Sequence, residues 1–399
     1  MVPIRFKSGV PSRERVMARD LITSVLQATD PRGAILRHLQ RLPNAIPTHL
    51  LAFGKASIAM CDGAIEHLGP QFARATILAP EAISLHAQFK SKLVQTFSCD
   101  HPLPTQRNID ATRALIEHAR SIPDDHRVLV LISGGASAML CMPRARVTLG
   151  QIRQTTKDML TRGASIGELN AVRSQLETLK GGGLARELAH VADTRCYLLS
   201  DVIGDDPSII ASGPMHDAFP PRSPHTIIAG NNTAVDSLAA WCVRSGIEPV
   251  HTQRGVICGA ADAGTDLARH LIEHTAENTV AVLMGGEPTV DTHGSDGIGG
   301  PMLELGISAA AKLSGYPFDW SVLTLTTDGV DGPSQAAGMV ITRSMLSAPI
   351  KQQAARLALQ HHDTRSICDT LGATINTGPT GTNVNDIAIA IRWAQNTQA

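Results

Sequence analysis

Aromatic side chains are scarce in this 399-residue sequence, in which Phe, Trp and Tyr together make up only 3%. Hydrophobic residues nevertheless reach 43%, so the cores must be built mainly from Ala, Val, Leu and Ile. No stretch approaches the roughly 18 apolar residues that a membrane-spanning helix needs. The formal net charge of −1 gives no electrostatic reason to expect a nucleic acid or an anionic membrane as a partner.

Paired cysteine motifs are absent as well. The seven cysteines are scattered without any C-x-x-C spacing, which favours reduced thiols in a cytoplasm over a disulfide framework. The histidines lack Cys or His partners at the spacing of a zinc site. The N-terminus is basic but has no apolar segment of the secretory kind, so we expect a cytoplasmic protein.

Short apolar runs alternate with helical patterns along the first part of the chain, and the length suggests two domains. Continuous apolar strands separated by helices indicate a parallel sheet with helices on both faces. A second α/β region begins near residue 278, and we place the domain boundary near 275, giving domains 1–275 and 276–399. The predicted strands are 49–53, 75–79, 93–97, 128–132, 195–200, 279–284, 321–326 and 386–391; the first predicted helix is 13–41.

The loop Ser133-Gly134-Gly135-Ala136-Ser137 directly follows the apolar run VLVLI. The glycines would let a ligand approach the backbone, and the two serines add hydroxyl donors, as expected of an anion-binding loop. A tight turn is the alternative. The order of residues is not that of the G-x-S-x-G nucleophile elbow, which disfavours a serine hydrolase.

Two lysines lie beside glycines at element ends. Lys55 follows Gly54 after a predicted strand and would either help to hold an anion at a helix start or be a solvated surface side chain. Lys180 precedes three glycines, whose cost of roughly 1 kcal/mol each in a helix suggests a required backbone path. Neither stretch is a Walker A loop or a G-x-G-x-x-G dinucleotide fingerprint.

Carboxylates crowd the loops after several strands. Asp201, Asp205 and Asp206 follow one strand, and crowded carboxylates repel unless a cation or a hydroxyl lies between them. Magnesium fits such loops better than zinc does. Similar loops in the C-terminal region contain Gly285, Gly286, Glu287, Asp328, Asp331, Thr380 and Asn383. Anion-binding loops, lysines and acids at strand ends together indicate phosphoryl transfer.

These stretches, in this order, resemble the class II glycerate kinases, whose C-terminal part is called the MOFRL domain. The resemblance runs from about Lys55 to Ile391. The matching segments are FGKAS (53–57), DHPLP (100–104), ISGGASAML (132–140), LNAVRSQLETLKGGGLA (169–185), LSDVIGDDPSIIASGP (199–214), GGEPTV (285–290), TDGVDGPSQAAG (327–338) and TGPTGTNVND (377–386).

The resemblance implies a Rossmann-like N-terminal domain, a smaller C-terminal α/β MOFRL domain and an active site in the cleft between them. It implies transfer of the γ-phosphoryl group of ATP to the 2-hydroxyl of D-glycerate, or of a related short hydroxy acid, with Mg²⁺. The expected partners are the hydroxy acid and the nucleotide, without nucleic acid or membrane, and a homodimer stays open.

The resemblance also assigns roles to single residues. Lys55 is implied to be catalytic, and Asp201 and Asp205 to act as bases or hold the metal. The implied substrate-binding residues are Ser133, Gly134, Gly135, Ser137, Arg173 and Lys180. For the nucleotide we expect Gly285, Gly286, Glu287, Asp328, Asp331, Thr380 and Asn383.

One position departs from the family pattern. Where the family has GGRNQEL, this chain has GGPMLEL at 299–305, so Pro301 replaces an arginine implied to assist catalysis. Either another cation, such as Arg173, Lys180 or Arg254, reaches the same charge, or turnover of D-glycerate is weak and a different acid is preferred. We favour the second outcome, because the neighbouring Met302 and Leu303 are apolar. A relative that binds nucleotide or a small acid without turnover is the alternative. A hydroxypyruvate reductase is disfavoured because the chain lacks a dinucleotide fingerprint.

Overall fold

A computed structural model describes residues 2–43, 45–80, 92–216, 224–275 and 278–395. Its strands are β1 Arg5–Phe6, β2 Thr48–Phe53, β3 Phe72–Pro80, β4 Val94–Cys99, β5 Arg127–Ile132, β6 Asp193–Leu199, β7 His225–Ala229, β8 Glu248–Val256, β9 Val280–Gly286, β10 Trp320–Thr326, β11 Gly338–Thr342, β12 Thr374–Asn376 and β13 Asp386–Arg392. Its α-helices are α1 Ser12–Ala28, α2 Pro31–Leu39, α3 Ser57–Leu68, α4 Gln106–Ser121, α5 Ala136–Met139, α6 Leu149–Thr161, α7 Ile166–Leu176, α8 Gly183–Glu187, α9 Asn231–Arg244, α10 Ala260–Glu273, α11 Pro301–Leu313, α12 Pro349–Gln360 and α13 Thr364–Leu371.

The chain divides into two compact units. Asp30–Gly230 forms one of them, which we call the middle unit. The residues before Asp30 and after Gly230 form the other, which we call the terminal unit.

The middle unit contains a parallel sheet in the order β4-β3-β2-β5-β6-β7. Counted within the unit, this is the order 3-2-1-4-5-6 of a Rossmann fold, which confirms the predicted architecture. Strands β2 and β5 are buried along their whole length. Alternate residues of both strands pack in a core with α4 and α8, and the remaining ones are buried on the opposite face. This two-sided burial explains their continuous apolar sequences.

The direction of the strand order changes between β2 and β5. Ligands of open α/β sheets bind at such a switch point, beyond the carboxyl ends of the strands. The loops that start at Gly54 and Ser133 follow these two strands, so the fold brings together two segments that are about 80 residues apart in the sequence.

The terminal unit contains a mixed sheet in the order β1-β12-β11-β10-β13-β9-β8. Only β8 and β9 run parallel among the pairings that the described residues form. Strands β9, β10 and β13 coincide with the predicted apolar runs. Helices α10 and α11 pack against each other and contribute to one core with these strands. The predicted second α/β unit is therefore present.

The division of the structure differs from the boundary expected near residue 275. Strand β8 pairs with β9, and α9 packs on both. At the other end of the chain, β1 pairs with β12, and the Trp241 indole N–H donates to the Asp20 carboxylate at 2.8 Å. These hydrogen bonds assign both 231–275 and the first residues of the chain to the terminal unit. The expected domain 1–275 is thus shared between the two units.

The predicted helix 13–41 is wrong in one respect, because it is two helices. Helix α1 ends at Ala28, and α2 begins at Pro31. Proline suits the first position of a helix but not its interior. The Asp30 carboxylate accepts a hydrogen bond from the Gly33 N–H at 2.6 Å and so caps the second helix.

The thiols agree with the expectation from the sequence. None of the seven cysteines, all of which the structure describes, forms a disulfide, and only Cys258 is exposed. Within the described ranges, no helix combines the length and the apolar character needed to cross a membrane.

Candidate active site

The loops after β2 and β5 are fastened to each other by hydrogen bonds. The Lys55 N–H donates to the Gly134 carbonyl oxygen at 2.9 Å, and the Ala56 N–H donates to Ser133 Oγ at 3.0 Å. Gly54 has φ +123°, and a Cβ there would lie 2.3 Å from Ser133 Oγ. Only glycine therefore permits this approach. The buried Ser133 hydroxyl joins the two loops, because it accepts the hydrogen bond from Ala56.

Three polar side chains lie beside the two glycines of the Ser133 loop. A Cβ on Gly134 would lie 2.2 Å from Asp201 Oδ2, so the carboxylate packs directly on the backbone there. Gly135 has φ +80°, and a Cβ there would lie 3.1 Å from His101 Cδ2 and 3.3 Å from Lys55 Cγ. The glycines thus leave room for Asp201, His101 and Lys55 to converge.

Burial and charge oppose each other at Asp201. Desolvation raises the pKa of its carboxyl above the ordinary value, while its own backbone N–H and the Lys55 ammonium lower it. Burial is the larger effect. A carboxylate with a raised pKa beside a lysine is suited to accept a proton from a substrate hydroxyl.

Cations gather on the other side of the loop. Burial lowers the pKa of His101, and the charges of Lys55 and Arg173 lower it further. Burial also lowers the pKa of the half-buried Arg173, whereas Glu177 raises it. Within the described ranges, neither the Lys55 ammonium nor the Arg173 guanidinium makes a hydrogen bond to another residue. Cationic donors of this kind are free to bind an anionic ligand.

Lys180 lies inside the protein instead of facing a ligand. Its side chain is 1% exposed, and the ammonium donates to the carbonyl oxygens of Ser137 and Leu140, both at 2.8 Å. Burial lowers its pKa, and the charge of Glu177 opposes that shift. The side chain therefore holds the end of α5, a role that the glycine-rich sequence did not indicate.

Ser137 is part of a chain of polar contacts. Its hydroxyl lies 3.1 Å from Ser212 Oγ, which donates to Asn170 Oδ1 at 2.7 Å. Asn170 in turn donates to the Ile209 carbonyl oxygen at 3.0 Å. The segment after the acidic loop is thus bound to the Ser133 loop. These contacts make the Ser137 hydroxyl a fixed group.

The acidic loop after β6 contains one unsatisfied carboxylate oxygen. Asp205 has φ +54°, and its buried Oδ1 has no hydrogen-bond partner. Asp206 instead accepts the Ser208 N–H at 2.8 Å in a local turn. An orphaned buried carboxylate oxygen fits a cation or a ligand donor.

The donor set fits magnesium better than a metal held by protein alone. Among the residues described, no three His, Cys, Asp or Glu side chains form a group that could hold a metal ion. Mg²⁺ commonly takes one or two carboxylates and completes its shell with phosphate oxygens and water. Asp201 and Asp205 could supply such carboxylates.

The expected nucleotide residues of the terminal unit fall into two groups. Glu287, Asp328, Asp331 and Asn383 line one cavity of about 370 Å³ together with Pro301, and three further lining residues were not predicted from the sequence: Thr326, Asn385 and Asp386. The remaining three expected residues do not line it. Gly285 and Gly286 end β9, where a Cβ on Gly286 would lie 2.0 Å from the Val256 carbonyl oxygen. Thr380 Oγ1 donates to the Thr327 carbonyl oxygen at 2.5 Å.

The cavity is strongly acidic. Burial raises the pKa of Asp331 to about 6, and Asp328 and Glu304 add to this shift, although two backbone N–H groups oppose it. Burial also raises the pKa of Asp386 well above its ordinary value, with Asp331, Glu287 and Asp328 adding to the effect. Such a cavity favours cations and hydrogen-bond donors over a bare anion.

Comparison with known proteins agrees with this geometry. The family model described as a domain of unknown function, DUF4147, matches residues 17–234, and the MOFRL family model matches residues 280–386. The chain belongs to the glycerate 2-kinase family. It is 29% identical to a D-glycerate 2-kinase of Thermotoga maritima, over 96% of this chain and 99% of that protein.

Two further relatives of this family are informative. A putative hydroxypyruvate reductase of Agrobacterium vitis is 33% identical, over 74% of this chain and 87% of that protein. The crystal structure of a glycerate kinase from Thermotoga maritima superposes with a TM-score of 0.86 at 27% identity, covering 96% of this chain and all of that one. Nearly the whole chain therefore has the fold of this glycerate kinase structure.

The departure from the family pattern at 301 has a clear structural context. Pro301 is the first residue of α11 and lines the acidic cavity. Met302 and Leu303 are buried in the core, and their N–H groups donate to the two Asp331 carboxylate oxygens at 3.0 and 2.9 Å. These two apolar residues therefore do not shape a substrate site, which removes one argument for a changed acid preference. Only Pro301 alters the cavity wall.

Proposed function

We propose that this protein transfers the γ-phosphoryl group of ATP to the 2-hydroxyl of D-glycerate or of a related short hydroxy acid. The observation that carries the proposal is the position of Lys55. Its side chain lies with His101 against Gly135, and the Asp201 carboxylate packs on the adjacent Gly134, at the switch point of the sheet. The comparisons support the same chemistry, since both the sequence relative and the crystal structure from Thermotoga maritima are described as glycerate kinases.

Each side chain has a role that follows from its surroundings. Asp201, whose pKa burial raises, accepts the proton of the attacking hydroxyl. Lys55 and Arg173 neutralise the negative charge of the transferred phosphoryl group and of the acid's carboxylate. The backbone around Gly134 and Gly135 allows the ligand to approach closely.

Asp201 and Asp205 would hold Mg²⁺, and Asp205 Oδ1 is the buried oxygen that lacks a partner. The ion, when bound, supplies positive charge to the phosphate oxygens. Asp201, on which the charge of Lys55 acts, is thus both the proposed base and a proposed metal ligand, whereas Asp205 is proposed only as a metal ligand.

The acidic cavity of the terminal unit is the proposed nucleotide site. Its carboxylates accept hydrogen bonds from ribose hydroxyls and from the adenine amino group, whereas they would repel phosphate without a cation. Asn383 adds an amide group to the same wall. The seven reduced cysteines suit a reaction in the cytoplasm.

One assay panel with the purified full chain tests the proposal. ATP consumption is measured with D-glycerate and with other short hydroxy acids, and the product is identified by ³¹P and ¹³C NMR. Oxidation of NADH with hydroxypyruvate is measured in parallel, since one relative is named a putative hydroxypyruvate reductase. Phosphorylation at the 2-hydroxyl supports the proposal. NADH oxidation without ATP consumption on any acid would reject it.

A further inference from the structure

His101 is held in place although its side chain is exposed. The neighbouring Asp100 carboxylate accepts hydrogen bonds from Thr105 Oγ1 and from Arg107, with Nη2 at 2.7 Å from Oδ1. The Asn108 side chain bonds both the N–H and the carbonyl oxygen of Asp100, at 3.0 and 2.9 Å. The segment that carries His101 is thus fixed by helix α4, while the imidazole itself projects from it.

The imidazole has no hydrogen bond to any residue in the described part of the chain. Its Cδ2 lies against Gly135, and Lys55 flanks the same glycine. Arg173 on α7 is close enough for its charge to act on the ring. His101 and Lys55, two groups that can donate hydrogen bonds, thus meet at Gly135, within reach of the charge of Arg173.

The charges around His101 influence whether its imidazole is protonated. Partial burial of the ring, followed by the charges of Lys55 and Arg173, lowers the pKa of His101 and favours the neutral imidazole. On the far side of Lys55, Asp201 is partly neutralised by that lysine. On the near side, Asp100 is paired with Arg107 and influenced by Arg153. Glu177, whose buried Oε2 has no hydrogen-bond partner among the described residues, acts on Arg173 and offsets part of its charge.

A bound anion would reverse this balance. A carboxylate or phosphate group between Lys55 and Arg173 replaces repulsion by attraction, which favours the imidazolium form. We propose that His101 is a third anion-binding residue of this site and takes up a proton when a carboxylate or phosphate group binds beside Lys55 and Arg173. The inference rests on the proposed function only for the choice of ligand.

Calorimetry measures the proton directly. D-glycerate and, separately, inorganic phosphate are titrated into the full-length protein near pH 7 in two buffers with different ionisation heats, which gives the number of protons bound per ligand. The wild-type protein is expected to take up a measurable fraction of a proton. His101→Gln should lose this uptake and bind roughly tenfold to a hundredfold more weakly, because one charge-assisted hydrogen bond is lost.

Exposed His293, in the terminal unit, provides the matched control. His293→Gln should retain both proton uptake and affinity. Because the His101 side chain is exposed, His101→Gln should fold normally, which circular dichroism checks. Kinetics give a second readout: the KM of the wild type for the acid should rise with pH through the titration of His101, and that rise should be absent from the variant.

The results separate this inference from the proposed function. Binding without proton uptake, or uptake that persists in His101→Gln, overturns the inference even if the kinase assay is positive. Uptake that depends on His101 in a protein without kinase activity supports the anion site and rejects the proposed reaction. If neither ligand binds in the millimolar range, the anion site itself is rejected.

Discussion

The backbone N–H of Lys55 donates to the carbonyl oxygen of Gly134 across 2.9 Å, and this bond joins the loops after the two central strands of the parallel sheet. The position of the Lys55 backbone is therefore set by main-chain contacts, and its exposed ammonium is left for a ligand. A substitution of the Lys55 side chain should therefore change the activity without removing the contacts that hold the loop in place.

Lys55→Ala should reduce kcat by roughly 10² to 10³ or more while leaving the fold intact. The change removes a charged contact to the transferred group, of several kcal/mol at the transition state. It removes no hydrogen bond of the described part of the chain, where Lys55 bonds other residues through its backbone alone. Steady-state kinetics and the thermal midpoint are measured, with the exposed Lys157→Ala as control. A folded Lys55→Ala protein with near-normal kcat would contradict the assigned role.

Asp201→Asn and Asp205→Asn should produce different defects. Without its base, Asp201→Asn should lose roughly 10² to 10⁴ in kcat and the acidic limb of the pH–rate profile. Asp205→Asn should require more Mg²⁺ for half-maximal activity, since an oxygen without a protein partner is changed. Asp206→Asn is the matched control, because that side chain closes a local turn. Unchanged magnesium titrations and pH profiles in both variants would rule out the two roles.

Pro301→Arg should raise kcat/KM for D-glycerate by about tenfold or more over the wild type. An arginine supplies charge and several donors at the wall of the acidic cavity, and proline supplies none. The first position of α11 tolerates either residue, because its N–H needs no partner within the helix. Pro301→Ala controls for the loss of the ring. A wild-type kcat/KM well above roughly 10⁴ M⁻¹s⁻¹ would show that another cation already replaces the arginine.

The middle unit should lose stability on acidification through a buried chain of histidines. His49 Nδ1 lies 2.9 Å from His118 Nε2, and His49 Nε2 lies 3.0 Å from His126 Nδ1. Burial, followed by neighbouring charges, lowers the pKa of His49 to about 4 and that of His118 to about 3, from 6.5. The unfolded chain therefore binds more protons below pH 6.5, and stability falls as the pH drops from there toward 4.

The expected loss from this chain is on the order of 2 kcal/mol, allowing for screening at its more exposed His126 end. Urea denaturation at a series of pH values between 7 and about 4.5 measures it. In His49→Gln, the difference in stability between the two ends of this range should shrink, even though the variant is less stable at neutral pH. An identical pH dependence in the variant would refute the assignment.

Much of the middle unit could be predicted because short stretches of its sequence indicate the strands and loops that they form. Strands such as β2 and β5 are buried on both faces, so their sequences are continuously apolar, and glycines mark the loops that follow. The convergence of Lys55, Gly134 and Asp201 then follows from the rule that ligands bind beyond the carboxyl ends of parallel strands.

The remaining features depend on contacts between distant parts of the chain. Pairing of Arg5 with Asn376 cannot be inferred from either segment alone, and it decides to which unit the N-terminus belongs. Lys180 and Lys55 both neighbour glycines, yet one ammonium is buried on carbonyl oxygens and the other is exposed. His101 lies in the segment DHPLP that matches the family, but no local pattern shows that the charges of two cations act on it.

The placement of both chain ends in the terminal unit has a consequence for biosynthesis. The middle unit is one uninterrupted segment, so it can fold on the ribosome as soon as Gly230 has left the exit tunnel. The terminal unit cannot: β1 must wait for β12, whose pairing residues are synthesised about 370 positions later. Until then β1 has no partner strand, although α1 can already pack on α9 once Arg244 has been synthesised. A nascent chain stalled between α9 and β12 would thus combine a folded middle unit with an unpaired edge strand at its N-terminus.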